Sequence, residues 1–342
     1  MSKRQKLSDP DDQFEGLPDE VILKILGYLE GTKGLIYCGH LSQRIRKISQ
    51  DETLWQKINL SRQSIPTGFL QMVLNNRCKY LTLRSSCIQG ALKLDRPTQL
   101  KYLDLRNTNS TSDEVLEELL GSCRSLQKLS VTKKFLVNRI SQENWNSLEV
   151  LEVLDFERGF DYDCLDLESL KLVIKSCIEL KELNLAQRYL SEDAINFLVN
   201  NLTPKIEKLN LSCSWPMVVK DEQIKTLVER CKKITSLDLQ FSAITNNSIT
   251  SITENLQSSL EELGVSGCMN VSYNKLLELK SMSKLKVLNC EGVGRRNQHK
   301  MWMNLKKDMP HLNYRILEIA ETRYYNRIWE IKAKTFQLKI KS

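Results

Sequence analysis

Apolar residues return along most of this chain on one short template, roughly C-x-x-L-x-x-L-x-L. It reads Cys123-Arg-Ser-Leu126-Gln-Lys-Leu129-Ser-Val131, then Cys177-Ile-Glu-Leu180-Lys-Glu-Leu183-Asn-Leu185, then Cys231-Lys-Lys-Ile234-Thr-Ser-Leu237-Asp-Leu239. Copies without the cysteine begin at Leu100, Leu148, Ile206, Leu260 and Leu285, and opening copies begin at Trp55 and Cys78. From Leu103 the central leucine recurs at 129, 151, 183, 209, 237, 263 and 288. Most steps are 22–28 residues, and the 32-residue step from Leu151 to Leu183 implies an insertion near 157–166.

Alternation of leucines with polar residues predicts a short strand with one face turned inward. Between the strands, helical periodicity predicts helices over 112–122, 191–202, 221–231, 246–256 and 272–282, the first opened by a capping box on Thr111 and Glu114. A single strand–helix unit cannot bury its own leucines, so neighbouring copies must stack. Ten near-matches identify the array as a leucine-rich repeat of the cysteine-containing kind. The expected fold class is therefore α/β: a solenoid with a parallel concave sheet about 45 Å along its arc, from the usual strand spacing, and helices outside. Residues alternating with the leucines line the concave face. The candidate partner-binding residues among them are Asp104, Arg106, Asn184, Asn210, Asp238 and Gln240; a solvated sheet face accounts for any one of them taken singly.

Ahead of the array, Val21, Ile22, Ile25, Leu26 and Leu29 fall on one side of a helix, with Pro18 where a first-turn proline is tolerated. A helix that merely seals the first repeat satisfies this periodicity. Leu17-Pro18-Asp19-Glu20, the helix, an apolar mid-segment (Leu35, Ile36, Leu41) and Leu54-Trp55 together resemble the F-box over about 14–57. That resemblance implies packing against the small adaptor that links to a cullin ubiquitin ligase. Leu17, Pro18, Ile22, Ile25, Leu26, Leu29, Leu54 and Trp55 match its adaptor-contact or core positions. Ile45 stands where the family usually has tryptophan.

An F-box, about ten repeats, Met309-Pro310-His311-Leu312 and a tail with Asn326-Arg327-Ile328-Trp329-Glu330-Ile331-Lys332 resemble the F-box/leucine-rich-repeat proteins of the S-phase kinase-associated protein 2 type. The resemblance implies a tail running back along the concave face. It also implies capture of a phosphorylated cyclin-dependent-kinase inhibitor together with a small cyclin-kinase-subunit accessory protein. The family's Trp, Asp and Arg contact positions fall here on Gln187, Phe241 and Gly267, so those contacts are not preserved, while Gln187 and Phe241 themselves belong to the candidate substrate-binding set. The domains expected are a disordered tail over 1–13, the F-box over 14–57, the repeats over 58–314 and the C-terminal tail over 315–342.

Charge changes the picture at one end only. From Arg295 onward twelve Lys and Arg stand against four acids, which accounts for the whole net charge of +8. Diffuse nucleic-acid binding is thereby disfavoured, and an RNA-binding solenoid would rest on Tyr324, Tyr325 and Trp329 beside those bases. Arg327, Trp329 and Lys332 of the tail join the candidate substrate-binding set, since a basic strand suits an acidic or phosphorylated segment. A solvated basic strand edge fits equally.

No apolar run approaches the roughly 18 residues that span a bilayer. Ten cysteines without a C-x-x-C pair suggest reduced thiols in nucleus or cytoplasm and no zinc. Three histidines in no metal spacing and no phosphate-loop pattern argue against catalysis, metals and cofactors. The function expected is substrate recognition in a cullin-type (SCF) ubiquitin ligase acting on a cell-cycle regulator. The alternative is a leucine-rich-repeat interaction scaffold with no ligase role.

Overall fold

The computed structural model describes residues 14, 16–29, 32–112, 114–131, 141–146, 148–156, 167–186, 190–213, 219–294, 304–305 and 307–313. Two compact units divide the chain, Met1–Asn184 with Asn201–Lys205, and Leu185–Asn200 with Ile206–Ser342.

The first unit opens with helices α1 (Asp19–Gly27), α2 (Thr32–Cys38) and α3 (Gln43–Ser49), and one further turn, α4 (Glu52–Trp55). Ser42 caps α3 by accepting the Ile45 N–H at 3.1 Å, and Asp51 caps α4 by accepting the Thr53 N–H at 2.9 Å. Ile22, Leu26, Leu35, Ile45, Ile48 and Trp55 form the buried centre of this module.

Thereafter the chain lays down β1 (Lys57–Asn59), β2 (Ser64–Pro66), β3 (Tyr80–Thr82), β4 (Cys87–Gln89), β5 (Tyr102–Asp104), β6 (Asn109–Ser110), β7 (Lys128–Val131), β8 (Val153–Phe156) and β9 (Glu182–Asn184). Strands β1, β3, β5, β7, β8 and β9 pair in that order, all parallel, while β2, β4 and β6 make a small second sheet. The second unit carries β10 (Lys208–Asn210), β11 (Ser236–Asp238), β12 (Glu262–Gly264) and β13 (Val287–Asn289), again parallel and in register. A single bridge, Val287 to Asn313, extends this unit past its last strand.

The register runs leucine against leucine: Ile58, Leu81, Leu103, Leu129, Leu154 and Leu183 in the first unit, Leu209, Leu237, Leu263 and Leu288 in the second. All ten are buried, as are the apolar faces of the intervening helices, for example Val115, Leu116, Leu119 and Leu120. One copy is corrected. Leu129 pairs with Leu154, not Leu151, so the fifth copy reads Leu151-Glu-Val-Leu154-Asp-Phe156. Both leucine frames satisfy the L-x-x-L spacing; the frame that wins also buries Phe156 behind the strand. The long step then shrinks to the 29 residues between Leu154 and Leu183, and 157–166 lies outside the described residues.

Of the expected helices, Glu192–Asn201, Asp221–Arg230 and Asn246–Leu256 form nearly as read, whereas the last tightens after Leu276 into a 3₁₀ turn, Leu277–Ser281. The cap of Glu114–Gly121 also shifts. Thr111 Oγ1 instead accepts the Gly90 N–H at 3.1 Å, and Ser112 Oγ accepts the Glu114 N–H at 3.3 Å.

Candidate functional site

The N-terminal module divides the eight residues singled out there by burial. Ile22, Leu26 and Trp55 point inward at 2%, 5% and 3% exposure. Pro18, Ile25 and Leu29 are exposed, and Leu17 and Leu54 are half-buried. Alongside Ile25 and Leu29 lie Val21 and Tyr28, which is 88% exposed. Val21 and Ile25 lie on the outer side of α1, and Tyr28 and Leu29 continue that apolar stripe through the turn that ends the helix. One side seats it in the module; the other faces solvent.

Two devices hold that outer stripe in place. Arg44 of α3 donates to Asp19 Oδ1 at 2.8 Å and to the carbonyls of Phe14 and Leu17, pinning the entry to α1. Trp55 Nε1 donates to the Ser49 carbonyl at 2.7 Å, tying α4 to the end of α3. The module is then joined to the first repeats, because the Gln56 carbonyl accepts from both Lys79 N–H and Tyr80 N–H at 3.0 and 2.9 Å.

On the sheet face of the first unit, Asp104 is 1% exposed and fully engaged. Arg106 grips it through Nε at 2.9 Å and Nη2 at 2.7 Å, a two-toothed ion pair. Nη1 of Arg106 reaches Asp155 Oδ2 at 3.8 Å, and Asn184 Nδ2 donates to Asp155 Oδ1 at 2.8 Å. Asp155 belongs to this cluster but escaped the sequence reading, since the shifted fifth copy hid its outward phase. Lys128 Nζ sits 5.7 Å from the Tyr102 ring centroid, a cation–π contact on the same face. Burial first, then the Asp104 charge, pushes the Tyr102 phenol up.

In the second unit, Asn210 accepts the Ser212 N–H at 2.9 Å, and Asp238 accepts the Gln240 N–H at 3.1 Å and Nε2 at 2.9 Å. Asn59 and Asp104 accept from Ser61 and Arg106 in the same way. Asp or Asn one residue after the central leucine therefore closes an Asx turn that ends the strand. Burial pushes the Asp238 carboxyl up against these bonds.

Four residues after the central leucine the backbone turns left-handed. Arg62, Ser85, Asn107, Cys213 and Phe241 have φ of 54–58°, and Gly267 and Gly292 have 70 and 72°. Phe241 and Gly267 are thus turn residues at one phase of the repeat. Gln187, Arg327, Trp329 and Lys332 lie outside the described residues.

Among the described residues no group of three or more His, Cys, Asp or Glu is placed to hold a metal, and no helix is long and apolar enough to cross a membrane.

The profile described as F-box-like matches residues 14–61, and the one described as SKP2 LRR domain matches residues 68–334. A chain of Arabidopsis thaliana bearing the name "Putative F-box protein" is 25% identical over 278 residues, 80% of this chain and 77% of the relative. With its repeats matched over most of its length, this chain belongs to the SKP2 leucine-rich-repeat family and carries an F-box-like module ahead of the array.

Proposed function

We propose that this chain is the substrate-recognition subunit of a cullin-type (SCF) ubiquitin ligase, non-catalytic itself. The reading rests above all on an outer apolar stripe, Val21 and Ile25 on α1 and Leu29 just past its end, exposed at 39%, 40% and 38% while the inner face of the helix is already used. An unpartnered apolar stripe on a rigidly anchored helix suits a helix-in-groove contact with the adaptor, and through the adaptor a cullin. The repeats then hold a protein target, and orientation is the contribution to rate. The mixed-sign sheet faces suit a protein better than an apolar small molecule.

The finer reading is a phosphorylated cell-cycle regulator as target, the basic tail as its complement, and a nuclear and cytoplasmic setting. A cyclin-kinase-subunit accessory protein belongs to it only if it tolerates Phe241 and Gly267. Co-purification with the adaptor tests the core of the proposal. If Ile25→Asp with Leu29→Asp leaves the adaptor complex intact, the chain is an interaction scaffold instead.

A further inference from the structure

We propose that the sheet face of the second unit holds an arginine side chain from a bound protein partner. Its seat is a trough floored by Gly264 and Ser266 and walled by Asp238 and Gln240 on one side, Asn289 and Glu291 on the other. The inference rests on the reading that the repeats bind a protein.

The walls follow from the register. Asp238, Gly264 and Asn289 stand abreast. The next outward row stays in step, because Phe241 N–H donates to the Ser266 carbonyl at 2.8 Å and Gly267 N–H to the Glu291 carbonyl at 2.7 Å. Strands two apart lie about 10 Å from one another. The middle strand offers no side chain at Gly264 and a buried hydroxymethyl at Ser266. Asp238 and Gln240 lean into the gap: a Cβ on Gly264 would meet Asp238 Oδ1 at 2.5 Å and Gln240 Cγ at 3.3 Å.

The walls present unpaired acceptors. Gln240 is 8% exposed. Its Nε2 is committed to Asp238 Oδ2 at 2.9 Å, which fixes the amide and leaves Oε1 as acceptor. Gln240 Oε1, Asn289 Oδ1 and Glu291 Oε2 are all buried without a hydrogen-bond partner among the described residues. Every orphan atom is an acceptor, and two of the four wall residues are carboxylates. Such a set calls for a cationic donor.

The first unit shows which one. There Asp104, Ser130 and Asp155 stand abreast, acceptor, small residue, acceptor. Arg106, three residues after its central leucine, lies across them and pairs with Asp104 at 2.7 Å and Asp155 at 3.8 Å. The same phase in the second unit is Gln240, three residues after Leu237. The chain fills one trough with its own guanidinium and leaves acceptors in the other. A planar guanidinium carries five donors and can serve both walls, whereas an ammonium carries three.

The test uses the full chain with its adaptor and two short capped peptides, Gly-Arg-Gly and Gly-citrulline-Gly, followed by ligand-observed NMR at millimolar peptide. The arginine peptide binds and the uncharged citrulline peptide does not. Glu291→Gln weakens arginine-peptide binding about tenfold or more. Gln240→Arg fills the trough from within and abolishes it, while its thermal midpoint stays at or above that of the parent. Equal behaviour of the two peptides, no binding of either, or undiminished binding to both variants overturns the proposal. Retention of the adaptor complex in the same samples separates that failure from failure of the ligase reading.

Discussion

Phe241 lays its ring over Gly267 so closely that a Cβ on the glycine would stand 2.5 Å from ring carbon Cδ1. Gly267 also holds φ at +70°, where an L side chain is strained. Gly267→Ala therefore loses about 2–3 kcal/mol in urea unfolding, from backbone strain and overlap together. Phe241→Ala in that background removes the overlap and recovers part of the loss, leaving the strain. A double-mutant cycle with no coupling between the two sites would refute the contact.

How much of this was legible in sequence depends on whether a position has a chemical preference. The central leucines did, because a strand in a stacked array must bury one face, and nine of the ten were readable. The fifth copy failed because Leu148, Leu151 and Leu154 offer two frames three residues apart, and only pairing with Leu129 chooses between them. Asp155 was lost with it. The left-handed position had no signature at all: Arg, Ser, Asn, Cys, Phe and Gly all occupy it, since the ladder bonds on either side impose φ on whatever stands there. Apolarity of α1 was plain, but its division into inner and outer stripes needed α3 and α4 in place.

Asp221 binds consecutive repeats of the second unit. Its carboxylate accepts the N–H and hydroxyl of Thr245 at 2.8 and 2.5 Å and those of Ser248 at 3.2 and 2.5 Å, at the start of helix Asn246–Leu256. Burial pushes its pKa up, and the hydrogen bonds outweigh that, leaving it below 3.8. A depressed folded pKa means stability that is full above the unfolded value and lost as pH falls through the folded one. Asp221→Ala thus costs about 1–3 kcal/mol at neutral pH, and its deficit against the parent narrows below about pH 4. A deficit unchanged down to pH 2 in denaturant titrations would contradict this.

The template cysteines are core atoms. Burial pushes the Cys123 and Cys177 thiols up to about 12. A thiol needs its thiolate to react, so at pH 8 iodoacetamide leaves both unmodified in the native chain. Among the described cysteines Cys38, Cys87 and Cys213, which are half-buried, label first. Mass spectrometry of timed digests reads the order, and denaturant abolishes it. Early labelling of Cys123 or Cys177 would show that the repeats open locally.

The two faces of α1 give substitutions that separate folding from binding. Trp55 is 3% exposed and donates to Ser49. Trp55→Ala removes a buried ring and costs about 3–5 kcal/mol, so loss of adaptor binding in that variant reports a damaged module. Leu26→Asp likewise puts a charge at a site 5% exposed. Ile25 is different, because its outer position, 40% exposed, leaves the core packing untouched. Ile25→Asp shifts stability by about 0.5 kcal/mol or less. Against a groove it places a carboxylate on apolar surface, and adaptor affinity falls about a hundredfold. Isothermal titration beside thermal melts distinguishes the cases. Were Ile25→Asp to bind normally while Trp55→Ala failed, α1 would be a cap whose outer stripe has no partner in the adaptor.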